Sequence, residues 1–314
     1  MHALLECIAE MPQPEGTAAA YRLFHGRGAC YADCAHLTFD WFAPVWLLTS
    51  FLPLTEAELQ TLGAALRARW QQIGDGAPLN WVYQCRAPGQ LETRCMAGAV
   101  PEPHTVQENG AQFRVQLLRG QNHGLFLDMA AGRAWVRAHV RECAAAQKSV
   151  RVLNLFAYTC GFSVVALQAG AQSVVNVDMS HSAMALGQQN HQLNGVASGA
   201  RFLAHDLFSS WGKVGRGGPY DLVIADPPSY QKGSFIATKD YPRLLRRLPD
   251  LLMPEGLALV CLNAPELDTD FIHQHMRVQA PDMQFVQRIA NPAVFCDAAP
   301  ERALKVLLYR YSVR

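Results

Sequence analysis

Three aspartates each end an apolar run at the point where the run meets a turn: Asp178, Asp206 and Asp226. A carboxylate at the end of the second strand of an α/β sheet suits the hydroxyls of a ribose, which makes Asp178 a candidate for nucleoside binding. Asp206 could accept a hydrogen bond from an adenine amino group, and Met179 could pack on a flat ring. One aspartate at a strand end is commonly a cap or turn residue, but three in register favour a binding site.

The third aspartate opens the turn Asp226-Pro227-Pro228-Ser229-Tyr230. An acidic Pro-Pro turn that ends in an aromatic residue suits a planar base or an amine held beside a reactive carbon. Upstream, the loop 156–161 leads from a strand into a helix, where backbone N–H groups can meet the polar end of a ligand. Together these features indicate methyl transfer from S-adenosylmethionine. A dinucleotide is disfavoured because residues 152–165 hold no Gly-x-Gly-x-x-Gly.

These residues need a parallel sheet to bring them to one edge, and the chain alternates strands and helices as such a sheet requires. The expected elements are strands at 150–156, 173–177, 201–204, 221–225 and 256–262, with helices at 161–169, 181–193 and 238–252. This alternation predicts an α/β fold with a doubly wound, mostly parallel, Rossmann-like sheet. Residues 294–312 are expected to add two short strands as an antiparallel edge pair.

A smaller α+β domain is expected ahead of this sheet. Residues 20–53 alternate short apolar and polar runs separated by Gly or Pro, which predicts small antiparallel strands. The apolar spacing over 55–73 predicts a helix, and Thr55 with Glu58 three residues later is typical of a capping box at its start.

The boundary between the two domains is expected in a segment rich in Pro, Gly and polar residues, 97–112, which is predicted to be a linker. The domains are therefore predicted at 1–103 and 104–314. The second is expected to begin with a hairpin over 113–129, with its turn at 120–124.

Composition sets the class of protein. Half of the 314 residues are apolar and 17% are charged, as in ordinary globular proteins. No apolar run approaches the roughly 20 residues of a membrane span, and the first residues lack the basic region of a signal peptide, so a cytoplasmic location is expected. Nine scattered cysteines predict free thiols in a reducing compartment and no metal site.

The net charge of +1 argues only weakly for a nucleic-acid partner. A local basic cluster nevertheless follows the Pro-Pro turn, and its members are Lys232, Lys239, Arg243, Arg246 and Arg247. Such a cluster can contact phosphates while Tyr230 stacks on a base. Lys232, Lys239 and Arg243 are therefore candidates for binding an RNA substrate.

The segment 113–314 resembles the catalytic part of the bacterial 23S ribosomal RNA methyltransferases, in particular the cytosine-C5 enzyme and the guanine-N7 half of the fused large-subunit enzyme. The matching residues are Phe126-Leu127-Asp128, Asn154 to Phe162, Val177-Asp178-Met179-Ser180, Asn190, Leu193-Asn194 and Asp226-Pro227-Pro228. Residues 20–53 resemble the middle domain of this family more loosely, and the family's N-terminal PUA domain is expected to be absent.

This resemblance implies a class I methyltransferase fold, S-adenosylmethionine as cofactor and ribosomal RNA as substrate. It implies that Asp178 binds the ribose, that Asp206 binds the adenine, and that Asp128 with Arg133 lies near the methionine end of the cofactor. It also implies cofactor contacts at Asn154, Phe156, Ala157, Tyr158, Thr159, Gly161, Phe162, Ser180, Leu207 and Asp226.

Two positions depart from the family pattern. Cys160 stands where the family has glycine at the tightest point of the loop, and we expect cofactor binding to be retained with the small side chain pointing inward. Methylation of cytosine C5 requires a thiolate that adds at C6. Asn263 holds the place of that nucleophile, and Cys261, inside an apolar run, is expected to be a core thiol. A base nitrogen is therefore favoured over cytosine C5.

Two kinds of nitrogen acceptor stay open. Asn263 resembles the asparagines of the guanine-N7 half, where positioning beside the methyl group is most of the requirement. The turn from Asp226 to Tyr230 resembles the (Asp/Asn)-Pro-Pro-(Tyr/Phe) turn of exocyclic-amine methyltransferases, with Ser229 inserted. The further alternatives are methylation of a small molecule or protein, and non-catalytic binding of S-adenosylmethionine or RNA.

Overall fold

The computed structural model describes residues 1–14, 16, 18–120, 122–231 and 235–312. Contacts between residues divide the chain into two units. Unit 1 comprises Met1–Leu127 and Pro292–Pro300, and unit 2 comprises Asp128–Asn291 and Glu301–Arg314. The division falls at Leu127 and not at residue 103, and a segment late in the sequence belongs to unit 1.

Unit 1 is built on a mostly antiparallel sheet. Its elements begin with α1 (His2–Glu10), β1 (Ala20–His25), β2 (Leu37–Phe42), β3 (Val45–Ser50), α2 (Glu56–Ile73), β4 (Trp81–Ala87) and β5 (Gln90–Ala97). The strands pair in chain order, and β3 with β4 is the parallel pair. Leu59, Leu62 and Leu66 of α2 pack on the apolar face of this sheet. The predicted capping box is confirmed, with Thr55 and Glu58 bonded reciprocally.

The hairpin that completes unit 1 differs from the predicted one. Strands β6 (His104–Glu108) and β7 (Ala111–Val115) are antiparallel partners. Asn109 and Gly110 join them with φ of 49° and 81°, the left-handed conformation that a two-residue hairpin turn requires. The predicted linker therefore contains a strand, and the predicted turn at 120–124 does not join the hairpin.

Unit 2 alternates strands and helices along most of its length. Its elements begin with α3 (Ala130–Ala145), β8 (Arg151–Leu155), α4 (Gly161–Gln168), β9 (Ser173–Asp178), α5 (His181–Leu193), β10 (Ala200–Ala204), α6 (Trp211–Gly215) and β11 (Tyr220–Ala225). They continue with β12 (Tyr230–Gln231), β13 (Phe235–Ile236), α7 (Ala237–Leu245), α8 (Leu248–Leu251), β14 (Leu252–Leu262), α9 (Thr269–Gln279), β15 (Met283–Ile289) and β16 (Lys305–Tyr311).

The main sheet of unit 2 has the order β10-β9-β8-β11-β14-β16-β15 among the described residues. Strands β10 to β14 in this order are parallel, and β16 is antiparallel to both of its neighbours. The predicted α/β fold with a mostly parallel sheet is confirmed. Val, Leu and Ile fill β8, β9 and β11 because helices cover both faces of such a sheet.

Three elements of unit 2 differ between the sequence prediction and the structure. The predicted helix at 238–252 is two helices, α7 and α8, and β14 begins at Leu252 instead of residue 256. Of the two strands predicted within 294–312, the described residues form one, β16. Its antiparallel partner, β15, precedes that segment. Short 3-10 turns occupy Ala293–Phe295 and Pro300–Arg302.

The register brings the carboxyl ends of the parallel strands to one edge. Leu155 pairs with Val177, Ala204 with Asp178, and Ala225 with both Leu155 and Val260. The loops that follow these strands are therefore neighbours, which is where parallel α/β sheets bind ligands. Among the helices that the structure describes, none is long and apolar enough to cross a membrane.

Candidate active site at the carboxyl edge of the sheet

The loop after β8 is held in a conformation that non-glycine residues seldom adopt. Phe156, Tyr158 and Cys160 have φ of 56°, 48° and 64°. Alternating left-handed residues cost on the order of 1 kcal/mol or more each and tend to be kept at functional sites. The N–H of Ala157 donates to Val177 O (3.0 Å) and that of Cys160 to Ala157 O (2.7 Å), so these two groups do not face a ligand as expected.

Asp178 secures this loop from the end of β9. Its carboxylate accepts hydrogen bonds from the N–H groups of Tyr158 and Ser180, each at 2.8 Å, one on each oxygen. An ionised carboxylate offers about four lone-pair positions, so each oxygen retains one for a ligand hydroxyl. Asp178 is partly exposed, and the Met179 side chain beside it is 43% exposed.

Cys160 points into the protein. The thiol is fully buried against Met184 in α5, and burial, with a smaller contribution from Asp178, raises its pKa. Gly187 makes room for it, since a Cβ at Gly187 would lie 2.6 Å from the Cys160 sulfur. The extra volume of the cysteine is therefore taken up beneath the loop.

A chain of buried hydrogen bonds lies under the loop. His191 Nδ1 donates to Gly187 O (2.7 Å), because a carbonyl can only accept, and its Nε2 then accepts from the Ser163 hydroxyl (2.7 Å). Asn176 donates to Ser163 Oγ (3.0 Å), and Asn154 donates to Asn176 Oδ1 (2.9 Å). Burial lowers the pKa of His191, which favours this neutral tautomer. The chain joins β8, β9, α4 and α5 into one rigid support.

Several residues expected at the cofactor are buried, packed in the core or bonded to the backbone. Asn154 and Thr159 are buried at 1% and 2% exposure. The Phe162 ring packs beside Gly132 of α3, and Leu207 belongs to the core under the sheet. The Ser180 hydroxyl caps α5 by accepting from the N–H of Ala183 (3.2 Å). Sequence spacing placed these residues in the loops at the carboxyl edge but could not tell which side chains turn inward.

Other predicted cofactor residues do keep exposed surface at this edge. Phe156, Tyr158 and Gly161 are partly exposed, whereas Ala157 is buried. Asp206 is exposed and accepts from the N–H of Ser209 (2.9 Å), so it forms a turn and still presents carboxylate surface.

Asp226 stands after β11 in an electrostatic setting of its own. Burial and, to a smaller extent, like-charge repulsion from Asp128 raise its pKa to about 7, against a partial opposing effect of Arg133. Asp128 precedes α3, and Arg133 is a buried residue of the same helix, 4% exposed. Two carboxylates share this place with one guanidinium, so the site favours an added positive charge.

Cys261 and Asn263 occupy different environments although they are close in sequence. Cys261 is fully buried, its carbonyl accepts a hydrogen bond from the Tyr241 hydroxyl, and burial raises the pKa of its thiol far above the usual value. Asn263 directly follows β14 and is exposed. The expectation that Cys261 is a core thiol is confirmed.

The Pro-Pro turn is followed by two short strands that pair with each other. Pro227 is buried and Pro228 is partly exposed, and β12, which begins at Tyr230, pairs with β13. At Tyr230 the backbone is described, whereas Lys232 lies outside the described residues. Lys239 is exposed on α7.

The basic cluster on α7 and α8 is interleaved with aromatic rings. The Arg243 guanidinium lies 4.3 Å from the centre of the Phe208 ring, and that of Arg247 lies 5.5 Å from the Trp211 ring. Arg243 also pairs with buried Asp240 at 2.8 Å, yet half of its side chain is exposed. Both guanidiniums are thereby held in place with charge still at the surface.

Lys305 is a polar residue of unit 2 that the sequence pattern did not single out. It is fully buried in β16, opposite Leu262, and burial lowers its pKa. Its ammonium donates to the carbonyls of Ala264 (3.0 Å), Leu267 (2.7 Å) and Glu301 (2.6 Å). It therefore fixes the loop that starts at Asn263. The sequence feature that could have identified Lys305 is an isolated lysine in an apolar strand.

Comparison with known proteins gives a family and several relatives. Residues 21–310 match the family described as S-adenosylmethionine-dependent methyltransferase. Ribosomal RNA large subunit methyltransferase I of Aeromonas salmonicida (strain A449) is 34% identical over 173 residues, which are 53% of this chain and 42% of that protein. Ribosomal RNA large subunit methyltransferase K/L of Psychrobacter sp. (strain PRwf-1) is 33% identical over 57% of this chain and 22% of that protein. The chain thus spans less than half the length of both.

Solved structures of the same fold cover nearly the whole chain. The crystal structure of SMU.776, complexed with SAH, aligns with a TM-score of 0.77 and 25% identity over 94% of this chain and 76% of that one. A protein from Streptococcus mutans aligns with a TM-score of 0.78 and 22% identity over 98% of this chain and 81% of that one, which bears on the fold alone.

Proposed function

We propose that the chain, which belongs to the S-adenosylmethionine-dependent methyltransferase family, transfers a methyl group to a base nitrogen of RNA, with ribosomal RNA as the substrate class. The curated relatives named as ribosomal RNA methyltransferases support the choice of substrate. The arginines stacked on Phe208 and Trp211 support it independently, because stacked guanidiniums suit phosphates and bases. A cytoplasmic location is proposed with this substrate.

The residues at the carboxyl edge fit S-adenosylmethionine. Asp178 retains lone pairs for ribose hydroxyls, Met179 offers apolar surface to an adenine ring, and Asp206 offers a carboxylate to its amino group. A sulfonium is positively charged, so it would relieve the repulsion between Asp128 and Asp226. When bound, the cofactor supplies an electrophilic methyl group.

The burial of Cys261 is the observation that carries the choice of nitrogen over carbon. Methylation at cytosine C5 needs an exposed thiolate, and this thiol is enclosed in the core with a pKa far above the usual value. Asn263, exposed after the same strand, can donate or accept a hydrogen bond but cannot attack C6.

Asp226 has a different task for each kind of nitrogen. Toward an exocyclic amine, its carboxylate and the carbonyl of Pro227 would accept the amine hydrogens and draw the nitrogen lone pair toward the methyl group. Toward a ring nitrogen such as guanine N7, which carries no hydrogen, its charge would help to hold the cofactor while Asn263 positions the base.

Transfer of labelled methyl groups from S-adenosylmethionine to RNA, with mass spectrometry of the nucleosides, tests the proposal. We expect a methylated base nitrogen, full activity in Cys261→Ala, and a rate at least about 10²-fold lower in Asp226→Ala even at saturating S-adenosylmethionine. Circular dichroism checks that both variants fold. Formation of 5-methylcytidine, or loss of transfer in a folded Cys261→Ala variant, would contradict it.

A small molecule or protein is the second acceptor class, and the near-neutral net charge of +1 favours it. The same labelling experiment decides between the two, since label would then enter protein or metabolites and not RNA. Calorimetry tests whether the chain binds the cofactor at all. A chain that binds no S-adenosylmethionine at high micromolar concentration is not a methyltransferase, which would leave a non-catalytic role.

A further inference from the structure

Unit 1 carries a group of arginines on the face of its sheet opposite α2. In β4, Cys85 and Ala87 belong to the core that packs on α2, so Arg86 between them faces the other way. Arg22, in β1, pairs in register with Asp40 and donates to both of its carboxylate oxygens at 2.7 and 3.0 Å. The bidentate geometry fixes the direction of this guanidinium.

Two phenylalanine rings hold the guanidiniums of this group. The Arg27 guanidinium lies 3.8 Å from the centre of the Phe51 ring, and that of Arg86 lies 6.0 Å from the same ring. Arg22 lies 4.8 Å from the centre of the Phe295 ring. Arg27 is exposed and Arg86 is partly exposed, so ordered positive charge reaches the surface.

Two histidines complete the group. Arg22 donates to Nδ1 of His25 at 2.8 Å, so the hydrogen of a neutral His25 ring is on Nε2. Burial, then Arg22 and Arg27, lowers the pKa of His25 to about 4, against a smaller opposing effect of Asp297. Burial, then Arg86 and Arg22, lowers the pKa of His123 to about 3.

These pKa values report a positive local potential. Both imidazoles are neutral at pH 7 because burial and, to a smaller extent, the nearby guanidiniums oppose a positive charge on the ring. Asp40 pairs with Arg22, and Asp297 acts on His25, while Arg27 presents its guanidinium at the surface.

We propose that this arginine cluster, defined as Arg22, His25, Arg27, Phe51 and Arg86, binds a backbone phosphate of the RNA substrate. The proposal rests on the proposed function for the identity of the polyanion. A guanidinium fork matches two phosphate oxygens, and stacking on phenylalanine fixes the fork before binding, so less conformational entropy is lost. The cluster belongs to unit 1, and Arg27 is its most exposed member.

The test compares Arg27→Gln with Arg67→Gln, a matched loss of one exposed arginine on α2. Filter binding of total ribosomal RNA to the full chain is measured over a series of salt concentrations. We expect Arg27→Gln to weaken binding about five-fold near 0.1 M salt and to reduce the salt slope by about one, whereas Arg67→Gln leaves both unchanged. Arg27→Lys should keep the slope and lose part of the affinity, because it keeps charge without the fork.

A second measurement follows the His25 ring by NMR while an RNA oligonucleotide is added. A phosphate beside Arg22 and Arg27 should raise the pKa of His25, and this rise should be smaller in Arg27→Gln. Equal binding by Arg27→Gln and the unsubstituted chain, or equal losses in both glutamine variants, would overturn the site even if methyl transfer to RNA is found. Conversely, a selective loss in Arg27→Gln without methyl transfer keeps the site and removes the proposed function. A chain that does not bind RNA overturns both.

Discussion

Cys160 adopts φ of 64° at a position where glycine would carry no steric cost. The chain keeps the loop by placing a glycine elsewhere, because Gly187 of α5 leaves the space that the cysteine sulfur fills. The two residues therefore form one packing unit although they are far apart in sequence. A residue that looks anomalous in its own motif is explained by its partner in the next helix.

A double-mutant cycle on this pair is the first prediction. Gly187→Ala should destabilise the protein by about 2 kcal/mol, because the new methyl group overlaps the Cys160 sulfur. With Cys160→Gly in the background, the same change should cost much less, giving a coupling energy above about 1 kcal/mol. Urea denaturation of the four proteins measures it. Additive effects of the two changes would contradict the packing explanation.

The second prediction concerns Asp226 in the protein without ligand. Its folded pKa is about 7, raised from an ordinary value near 3.8, so protonation stabilises the fold below about pH 4 and this stability is lost as pH rises through 7. Relative to Asp226→Asn, the unsubstituted chain should lose up to about 1.4 kcal/mol per pH unit between pH 4 and 7. Denaturation of both proteins at constant ionic strength, over this pH range, measures the difference between their free energies of unfolding.

Two controls separate this effect from general acid behaviour. Asp270→Asn, an exposed change on α9, is measured beside it as the matched loss of one surface carboxylate. Adding cationic S-adenosylmethionine should lower the pKa of Asp226 below 7, whereas S-adenosylhomocysteine, which lacks the sulfonium charge, should lower it less. A constant difference between Asp226→Asn and the unsubstituted chain across this pH range would disprove the raised pKa.

At the scale of elements, the loop after β14 depends on one buried ammonium. Lys305→Met should destabilise unit 2 by about 1–3 kcal/mol, because the carbonyls of Ala264, Leu267 and Glu301 lose their shared donor. It should also raise the KM for the acceptor more than it lowers cofactor affinity, since Asn263 begins this loop. Lys239→Met, exposed on α7, is the control for stability. Unchanged acceptor KM in a destabilised variant would leave Lys305 a purely structural role.

The elements that the sequence predicted well are those with strong local signals. The expected helix at 181–193 matches α5, which begins after the cap residue Ser180. The buried strands β8, β9 and β11 were found within one residue at each end because apolar runs bounded by turns identify them. The alternation of these elements was enough to predict the mostly parallel sheet.

The errors have a common physical origin in pairing between distant residues. Strand β6 lies in a Pro- and Gly-rich segment and is a strand because β7 pairs with it. Asn154 looked like a cofactor residue, yet its partner across the sheet is Asn176, and only the register shows this. Local composition does not contain register, and so the sequence predicted which loops follow the parallel strands but not which side chains are buried.

At the scale of the whole molecule, unit 1 uses residues from both halves of the chain. Gly28 packs against the segment 292–300, where a Cβ would lie 1.8 Å from the carbonyl oxygen of Cys296. The N–H of Ala298 donates to Gly28 O at 2.7 Å in the same contact. A glycine is therefore required for the two backbones to approach.

Gly28→Ala should displace this segment from unit 1. We expect a destabilisation of about 1–3 kcal/mol and loss of hydrogen-exchange protection at Ala298. Gly212→Ala is the matched control, because a Cβ there meets nothing within 4 Å. That change should be neutral or slightly stabilising. Retained protection at Ala298 in the Gly28 variant would show that the contact tolerates a side chain.

The position of the segment 292–300 in the sequence also constrains when unit 1 can finish folding. A chain leaves the ribosome from its N-terminus, and domains generally fold as units as they emerge. Unit 1 begins to emerge first, but its fold includes Pro292–Pro300. Unit 2 includes β16, which lies between β14 and β15 in the sheet and follows both of them in sequence. Unit 1 cannot be completed before residues 292–300 are synthesised, nor unit 2 before β16 is, so the two units reach the native state at nearly the same stage.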